Sequence, residues 1–534
     1  MKKTKSLFIG GILIATIVVL CAGIFDSTKN VSAPVVPDSK YGSFLAAQHA
    51  IYINDFDTAA KYGENLYGND AAIVKNVKMM ADFLSGRMPE NAAELSKESG
   101  TPARLVYDAY LIGQGDWQNF YARHKNDDSA WLAPMRIFSS VAINHVTEAI
   151  KFVNSLKTND SWKAFVRGQI YAETGKIEKA TAEFNNVNTD FMNINDYLYI
   201  MSFYRHHDMP ELADALRNEF ASKPGGMFML DFDNIPDWSN YSGTANALAF
   251  GLLQNVSHTQ GMMFSDLSIL LLRFAQIIMP ENNNDDAINY YIGQYFFHNN
   301  GDYVSQFAKI DKKSPFYLFG VLRNSEVNKD IRGLRRMLNK HPLFVPAMNK
   351  LITHYVANGD KNSALKILNR AMKNEKLSDI SHAFLLKQRA AVYFDFDDLN
   401  RAQADIHAAA DVLTIDIDIA ALQAKIWAVQ NRELDTAYDY AIGLVQRNIS
   451  DVCAWDVLGR VVAAREGVYE AIELIEPVGE IAKDCSALFE TLGDLYVKVG
   501  EKRLAQDAYM RAIDLSEDGM IVVPKVKRKL RMLK

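Results

Sequence analysis

The sequence predicts an all-α chain in which helical hairpins stack into a solenoid behind an apolar N-terminal helix. Three observations carry this. First, at 534 residues the chain is too long for one compact core, so it must divide into domains or repeat itself. Second, 49% of its residues are apolar and 23% charged, the balance of folded proteins rather than of disorder. Third, Trp455, Leu458, Gly459, Val462 and Ala471 return as Phe489, Leu492, Gly493, Tyr496 and Ala505, each 34 positions further on.

Taken in chain order, Lys2, Lys3 and Lys5 precede an uninterrupted apolar run, 7–25. As a helix this run is about 28 Å long, close to the hydrocarbon thickness of a bilayer. It is longer than the core of a signal peptide, about 7–15 residues. The cations ahead of it favour an N-in orientation, with everything after Phe25 outside the cytoplasm. We read residues 1–25 as a signal anchor, a transmembrane helix that is retained, with a cleaved signal peptide as the alternative. Val31-Ser32-Ala33 offers small residues for cleavage, but Pro34 obstructs it, and Leu20 before Cys21 does not fit a lipidation site. Residues 26–39, with Ser, Asn and Pro, read as a flexible linker. A second apolar stretch, 264–279, is too short to span and contains Asp266 and Arg273, which makes it a buried helix of the solenoid.

The repeat has a physical logic. Large residues three and four apart give the first helix one apolar face. Gly459 or Gly493 lets the second helix come close, and Ala471 or Ala505 does the same from the other side. Gly500 caps the end of the first helix. One hairpin cannot bury both its faces, so hairpins must stack. The template fits again at Gly168, Tyr171, Gly175, Ala180 and Phe184, and at Met348, Tyr355, Gly359, Ala364, Leu368 and Ala371. Looser matches are Tyr197–Tyr204–Ala213, Asn289–Gly293–Phe296 and Leu386–Ala390–Tyr393–Ala402. Residues 43–67, 74–97, 104–124 and 130–156 read as helix pairs around the turns Asn54-Asp55, Ser85-Gly86, Gly115-Asp116 and Asn144-His145. About 12 hairpins are expected at this spacing. Residues 40–221 hold degenerate hairpins and 244–515 the better repeats. Between them, 222–243 is rich in Gly, Pro, Asp and Asn and reads as an interrupting loop. Residues 516–534 read as a basic capping helix.

This pattern resembles the tetratricopeptide repeat (TPR), although Glu517 stands where that repeat usually has proline. The resemblance implies a right-handed superhelical solenoid with a protein-binding concave groove. The chain as a whole is similar to long TPR proteins of the alphaproteobacterial envelope. That likeness rests on Gly42-Ser43-Phe44-Leu45-Ala46, Gly243-Thr244-Ala245-Asn246-Ala247-Leu248 and Ser314-Pro315-Phe316-Tyr317. It implies a non-enzymatic envelope protein. The positions of each first helix that line the groove in TPR proteins are here Phe165 and Gln169; Leu198, Ser202 and Arg205; Tyr290, Gln294 and Phe297; Asn349 and Thr353; and Glu490 and Asp494. Tyr290, Gln294 and Phe297 suit an extended peptide or a helix. The Lys/Asn clamp that co-chaperone TPRs present to a carboxylate is not found.

The net charge of −6 comes from interspersed acids and bases, which argues against nucleic acid as a partner. Lys525, Lys527, Arg528, Lys529, Arg531 and Lys534 are read as the solvated face of the last helix, the alternative being a membrane-surface or partner-docking patch. Cys453 and Cys485 are read as separate thiols; export would permit a disulfide across neighbouring repeats. His206-His207-Asp208 reads as an exposed turn. Asn282–Asp286 and Asp395–Asn400 lack the Gly and distal Glu of a calcium loop and read as caps. No nucleophile elbow, Walker loop or His-Glu-x-x-His occurs, so no enzyme, metal or cofactor is expected. The expected function is a scaffold at the bacterial inner membrane, its C-terminal domain periplasmic, or a cleaved and soluble periplasmic form. It binds a protein partner, touches the membrane through 7–25, and takes no small-molecule substrate. The alternatives are a structural part of a secretion or exopolysaccharide-export apparatus, and a carbohydrate-binding module or enzyme without a local signature.

Overall fold

The hairpins repeat because the same short turn recurs. In a computed structural model the residues described are 40–66, 72–98, 100–258, 265–279, 285–414 and 416–533. The apolar run 7–25 and the linker 26–39 lie outside them. Among the described residues there is no strand, and no helix is long and apolar enough to cross a membrane. Among the described residues before 515, 27 α-helices and the 3-10 helix Ala92–Lys97 pair into fourteen hairpins, where the spacing suggested about 12. Most turns place one residue in the left-handed region, among them Asn54, Gly86, Gly115, Asn144, Gly175, Gly359 and Gly500. An aspartate often follows and caps the second helix: Asp55, Asp116, Asp302, Asp330 and Asp360 each accept a backbone N–H from three residues on. A left-handed residue followed by a capping carboxylate ends one helix and starts the next within about one turn of chain.

In several hairpins the two helices meet at a glycine. A Cβ on Gly493 would lie 2.4 Å from Cε1 of Tyr509, one on Gly168 2.4 Å from Phe184, and one on Gly293 2.3 Å from Phe307. An aromatic ring of the second helix thus lies on bare backbone of the first.

The hairpins do not form a simple open spiral. After 243 the chain turns back along itself. Helix Thr244–His258 packs against Ala133–Ala142 and Asp160–Glu173; helix Asp266–Ile278 packs against Thr101–Gly113 and Ala72–Leu84. Helix Asp286–His298 then reaches the first hairpin, where Phe296 meets Phe56 at 5.5 Å and Asn54 Nδ2 donates to the carbonyl of Asn299 at 3.0 Å. Later helices therefore touch progressively earlier ones. Thr244–His258 is buried nearly all round, as a helix enclosed on both sides must be. At Gly251 a Cβ would lie 3.0 Å from Pro134, so the fold-back also depends on a close approach. Asp266–Ile278 is the buried helix expected from its apolar sequence. Its Arg273 is also buried, donating to Gln276 Oε1 at 2.7 Å and lying 5.7 Å from the Phe296 ring. Burial lowers this guanidinium to about 10, with the Asp57 charge opposing.

Residues 222–243 form the turnaround, a packed element and not a bare loop. They hold two 3-10 turns, Met227–Asp231 and Trp238–Asn240. Trp238 and Tyr241 pack on Tyr199, while Phe228 meets Phe319 and Phe344. One apolar core consequently runs through both sides of the turnaround, and a second holds the C-terminal repeats. His207 departs from the exposed turn expected of it: it is half-buried against Phe203 and Trp238, and burial lowers its pKa.

Gly493→Ala should destabilise the C-terminal repeats by up to about 2 kcal/mol. Overpacking costs about 1–3 kcal/mol, and the better helix propensity of alanine returns about 1. Gly443→Ala, on a helical position with nothing near its Cβ, should instead stabilise by about 0.5–1 kcal/mol. Urea unfolding of the two variants checks the opposite signs.

Candidate functional site

The expected groove positions divide into two groups. Phe165, Gln169 and Gln294 are buried, as are Leu198 and Ser202. The cause is the fold-back: Phe165 packs on Phe184, Tyr199 and the returning Phe250. Tyr290 is largely enclosed by Phe307, Phe316 and Phe319. Phe297 packs on Tyr303 with the Arg323 guanidinium 5.3 Å from its ring centre. Arg205 is exposed and donates to the Asp233 carbonyl at 3.1 Å.

The second group lies in the C-terminal repeats. Asn349 is exposed, and Thr353, Glu490 and Asp494 are partly so. Thr353, Glu490 and Asp494 all meet the end of the chain. A Cβ on Gly519 would lie 2.2 Å from Thr353 Cγ2. Lys529 Nζ donates to Glu490 at 2.8 Å and to both Asp494 oxygens at 2.7 Å. Thr353 and Glu490 sit four hairpins apart, yet one short segment reaches both, so they lie on a common face.

Its floor is charged. Asp395, Asp456, Arg460, Glu490 and Asp494 come from three first helices, Asp379–Asp395, Val452–Arg465 and Ser486–Val499. Asp456 accepts from Arg460 Nε at 2.9 Å and from the Thr491 hydroxyl at 2.5 Å. Tyr509 donates to Asp494 at 2.6 Å, and burial together with that carboxylate raises the phenol. Asp395 keeps an edge in solvent but lies deep within the superhelix. Desolvation pushes its carboxyl up to about 7 against the pull of Lys425, Lys525 and Arg460. Such a face can hold cations and hydrogen-bond donors. Among the described residues no cluster of His, Cys, Asp and Glu suits a metal ion.

Sequence reasoning put Lys525 and Lys529 on a solvated face and Asp397 in a cap, and did not connect them. The two lysines do not line a solvated cap: Lys525 donates to Asp397 at 2.7 Å, and Lys529 faces inward as described. Their four-residue spacing was the available signal. The cysteines need a correction too. Cys453 and Cys485 form a disulfide, their Cα atoms 5.6 Å apart. Both sit where a first helix begins, and stacking brings successive helix starts side by side. The sulfur of Met520 packs 3.4 Å from Cys453 Sγ.

Elsewhere, a cavity of about 440 Å³ is lined by Trp131, Trp162, Phe191, Asn255, Asp196 and His258. His258 Nε2 lies 2.8 Å from Asp196. Burial lowers the imidazole's pKa, but the carboxylate prevails and the net shift is upward.

Paired helices, left-handed turns and, in three hairpins, a glycine beneath an aromatic ring are the tetratricopeptide arrangement. The chain is a TPR-type solenoid. No protein family and no curated protein matches it in sequence. Solved structures similar to it include three helical-repeat proteins. A tetratricopeptide repeat protein from Parabacteroides merdae is 14% identical over 55% of this chain and 99% of its own, with a TM-score of 0.31. The Cut9 and Hcn1 hetero-tetramer of the APC/C is 12% identical over 93% of this chain and 97% of its own, at 0.34. Yeast Tom70 is 13% identical over 92% and 96%, at 0.28. The hairpin geometry of the chain itself, not these distant likenesses, carries the assignment.

Two measurements test the site. In the oxidised protein, Cys453→Ser should lower the stability of the C-terminal repeats by about 3–4 kcal/mol on the chain-entropy account. A reductant should bring the wild type to the same urea midpoint. Asp395→Asn tests the groove floor. With its folded pKa raised to about 7, the unfolded chain releases this proton first, so stability falls as pH rises from about 4 to 7. The variant should be more stable than wild type above pH 7, by about 1 kcal/mol or more once solvent screening is allowed for, and should gain nothing near pH 4. An equal gain at both pH values contradicts this assignment.

Proposed function

We propose that this chain is a non-catalytic scaffold of the bacterial cell envelope, binding a protein partner in the concave groove of its C-terminal repeats. The observation that carries the reading is the groove itself. Asn349, Thr353, Asp395, Glu490 and Asp494 come from first helices far apart in sequence, and they line the same face with polar or charged side chains. A surface that only packed hairpins together would be closed, as the filled face of the N-terminal hairpins is, where even the polar Gln169, Ser202 and Gln294 are buried. Groove-lining side chains reached by an extended or helical segment are the usual means by which helical solenoids bind protein.

The envelope location is supported by two features. The run 7–25 has the length and cationic flank of an N-in signal anchor. The Cys453–Cys485 disulfide suits an oxidising compartment outside the cytoplasm. The folded repeats then stand in the periplasm, tethered to the inner membrane through the 26–39 linker.

Photo-crosslinking in living cells tests the reading. A crosslinker at Asn349, on the concave side, should trap a discrete protein adduct. One at Tyr469, an exposed position on a second helix, should not. Equal trapping at both positions, or none at Asn349, sinks the proposal.

A further inference from the structure

The groove already has an occupant. Segment 516–533 leaves the last hairpin, crosses the concave face and ends in the helix Val523–Met532. Its contacts are those of a ligand more than of a simple end cap. Asp518 accepts the backbone N–H of Ser486 at 2.6 Å, capping the last first helix from outside the repeat. Met520 lies on the disulfide. Ile521, Val522 and Val526 are buried, Val522 in the large core and the other two in the C-terminal core. Pro524 lies against Gly359. Lys525 and Lys529, four positions apart, pair with Asp397 and with Glu490 and Asp494.

Recognition here is thus apolar residues followed by two lysines, set into an acidic groove. Taking the segment away would leave Asp395, Asp397, Glu490 and Asp494 close together without those cations. Only three of its apolar side chains are buried, with Val523, Leu530 and Leu533 partly so, against the ordering of a whole stretch of chain, and the ion pairs of Lys525 and Lys529 stay partly exposed to water. Seat and segment are therefore matched but exchangeable.

We infer that segment 516–533 is an intramolecular ligand, and that the partner docks by presenting a segment of the same chemistry, apolar residues ahead of a short helix with two lysines four apart, in its place. The inference rests on the scaffold reading and adds to it the class of partner and a self-blocked state. An occupied seat weakens an external ligand by the fraction of time that it is free, so a seat filled nine-tenths of the time weakens binding about tenfold.

The test uses the full chain and one probe, a fluorescently labelled synthetic peptide with the sequence of residues 516–533, followed by anisotropy. The Lys525→Glu/Lys529→Glu chain should bind the peptide about tenfold more tightly than wild type. The Glu490→Lys/Asp494→Lys chain should lose binding and regain it for a peptide whose two lysines are glutamates. Far-UV circular dichroism checks that each variant folds. Hydrogen exchange of the wild-type chain gives a second measure that needs no substitution: excess peptide should accelerate exchange of the amides of Val523–Met532. Equal affinity of wild type and the Lys525→Glu/Lys529→Glu chain, undiminished binding to the Glu490→Lys/Asp494→Lys chain, or unchanged exchange overturns the inference. If Asn349 traps a partner in cells while the peptide fails these tests, the scaffold reading stands and the tail-mimic inference falls. If the peptide passes while Asn349 traps nothing, the self-seating stands and the scaffold reading falls.

Discussion

Where Gly168 faces Phe184, Gly293 faces Phe307 and Gly493 faces Tyr509, a side chain of any size would force the two helices apart. These contacts set the distance between the helices of a hairpin, and that distance sets how each hairpin offers its apolar faces to the next. Stacking, curvature and the existence of an inner face all follow from it. The same device recurs at Gly251 beneath Pro134, where it lets an enclosed helix slide between others instead of joining two neighbours. Close backbone approach is thus used twice, once to build the wall of the solenoid and once to fill part of it.

Much of the wall was legible in the sequence. Glycine, asparagine and aspartate at the turns announce a left-handed residue and a cap, and Asn54-Asp55 and Gly115-Asp116 lie where local chemistry alone puts them. The 34-residue echo around Gly459 and Gly493 is likewise a local rule, because the residues it relates touch within one hairpin or across one interface. The helix Asp266–Ile278 could be recognised as buried because its apolar residues encircle it.

What escaped the sequence involves contacts between distant segments. Nothing near Phe165 or Gln169 tells that Thr244–His258 will return to cover them, and so side chains expected in a groove are buried. Residues 222–243 look like a loop by composition, yet Trp238, Tyr241 and Phe228 give them apolar contacts on several sides. Lys525 and Lys529 look like a solvated face because their carboxylates lie 35 residues or more away in sequence, the nearest of them Asp494. The disulfide belongs to the same class. Cys453 and Cys485 are neighbours only because stacking aligns helix starts, which spacing permits but does not require. Thr353, Glu490 and Asp494 all meet segment 516–533, and the sequence could not tell that the chain itself would cover them.

The fold-back also bears on the order in which the protein can be made. A solenoid whose units touch only their neighbours can acquire structure step by step as it emerges. Here the hairpins before residue 221 keep an uncovered apolar face until the chain has been extended through helix Asp286–His298, which docks against Phe56 at the very start. For a chain synthesised or threaded from its N-terminus, that interval of waiting is a window in which sticky surface is on display, and contacts of such long sequence separation close slowly. Whatever attends its biogenesis must hold the early hairpins apart from other chains for roughly as long as it takes to deliver the next seventy or eighty residues.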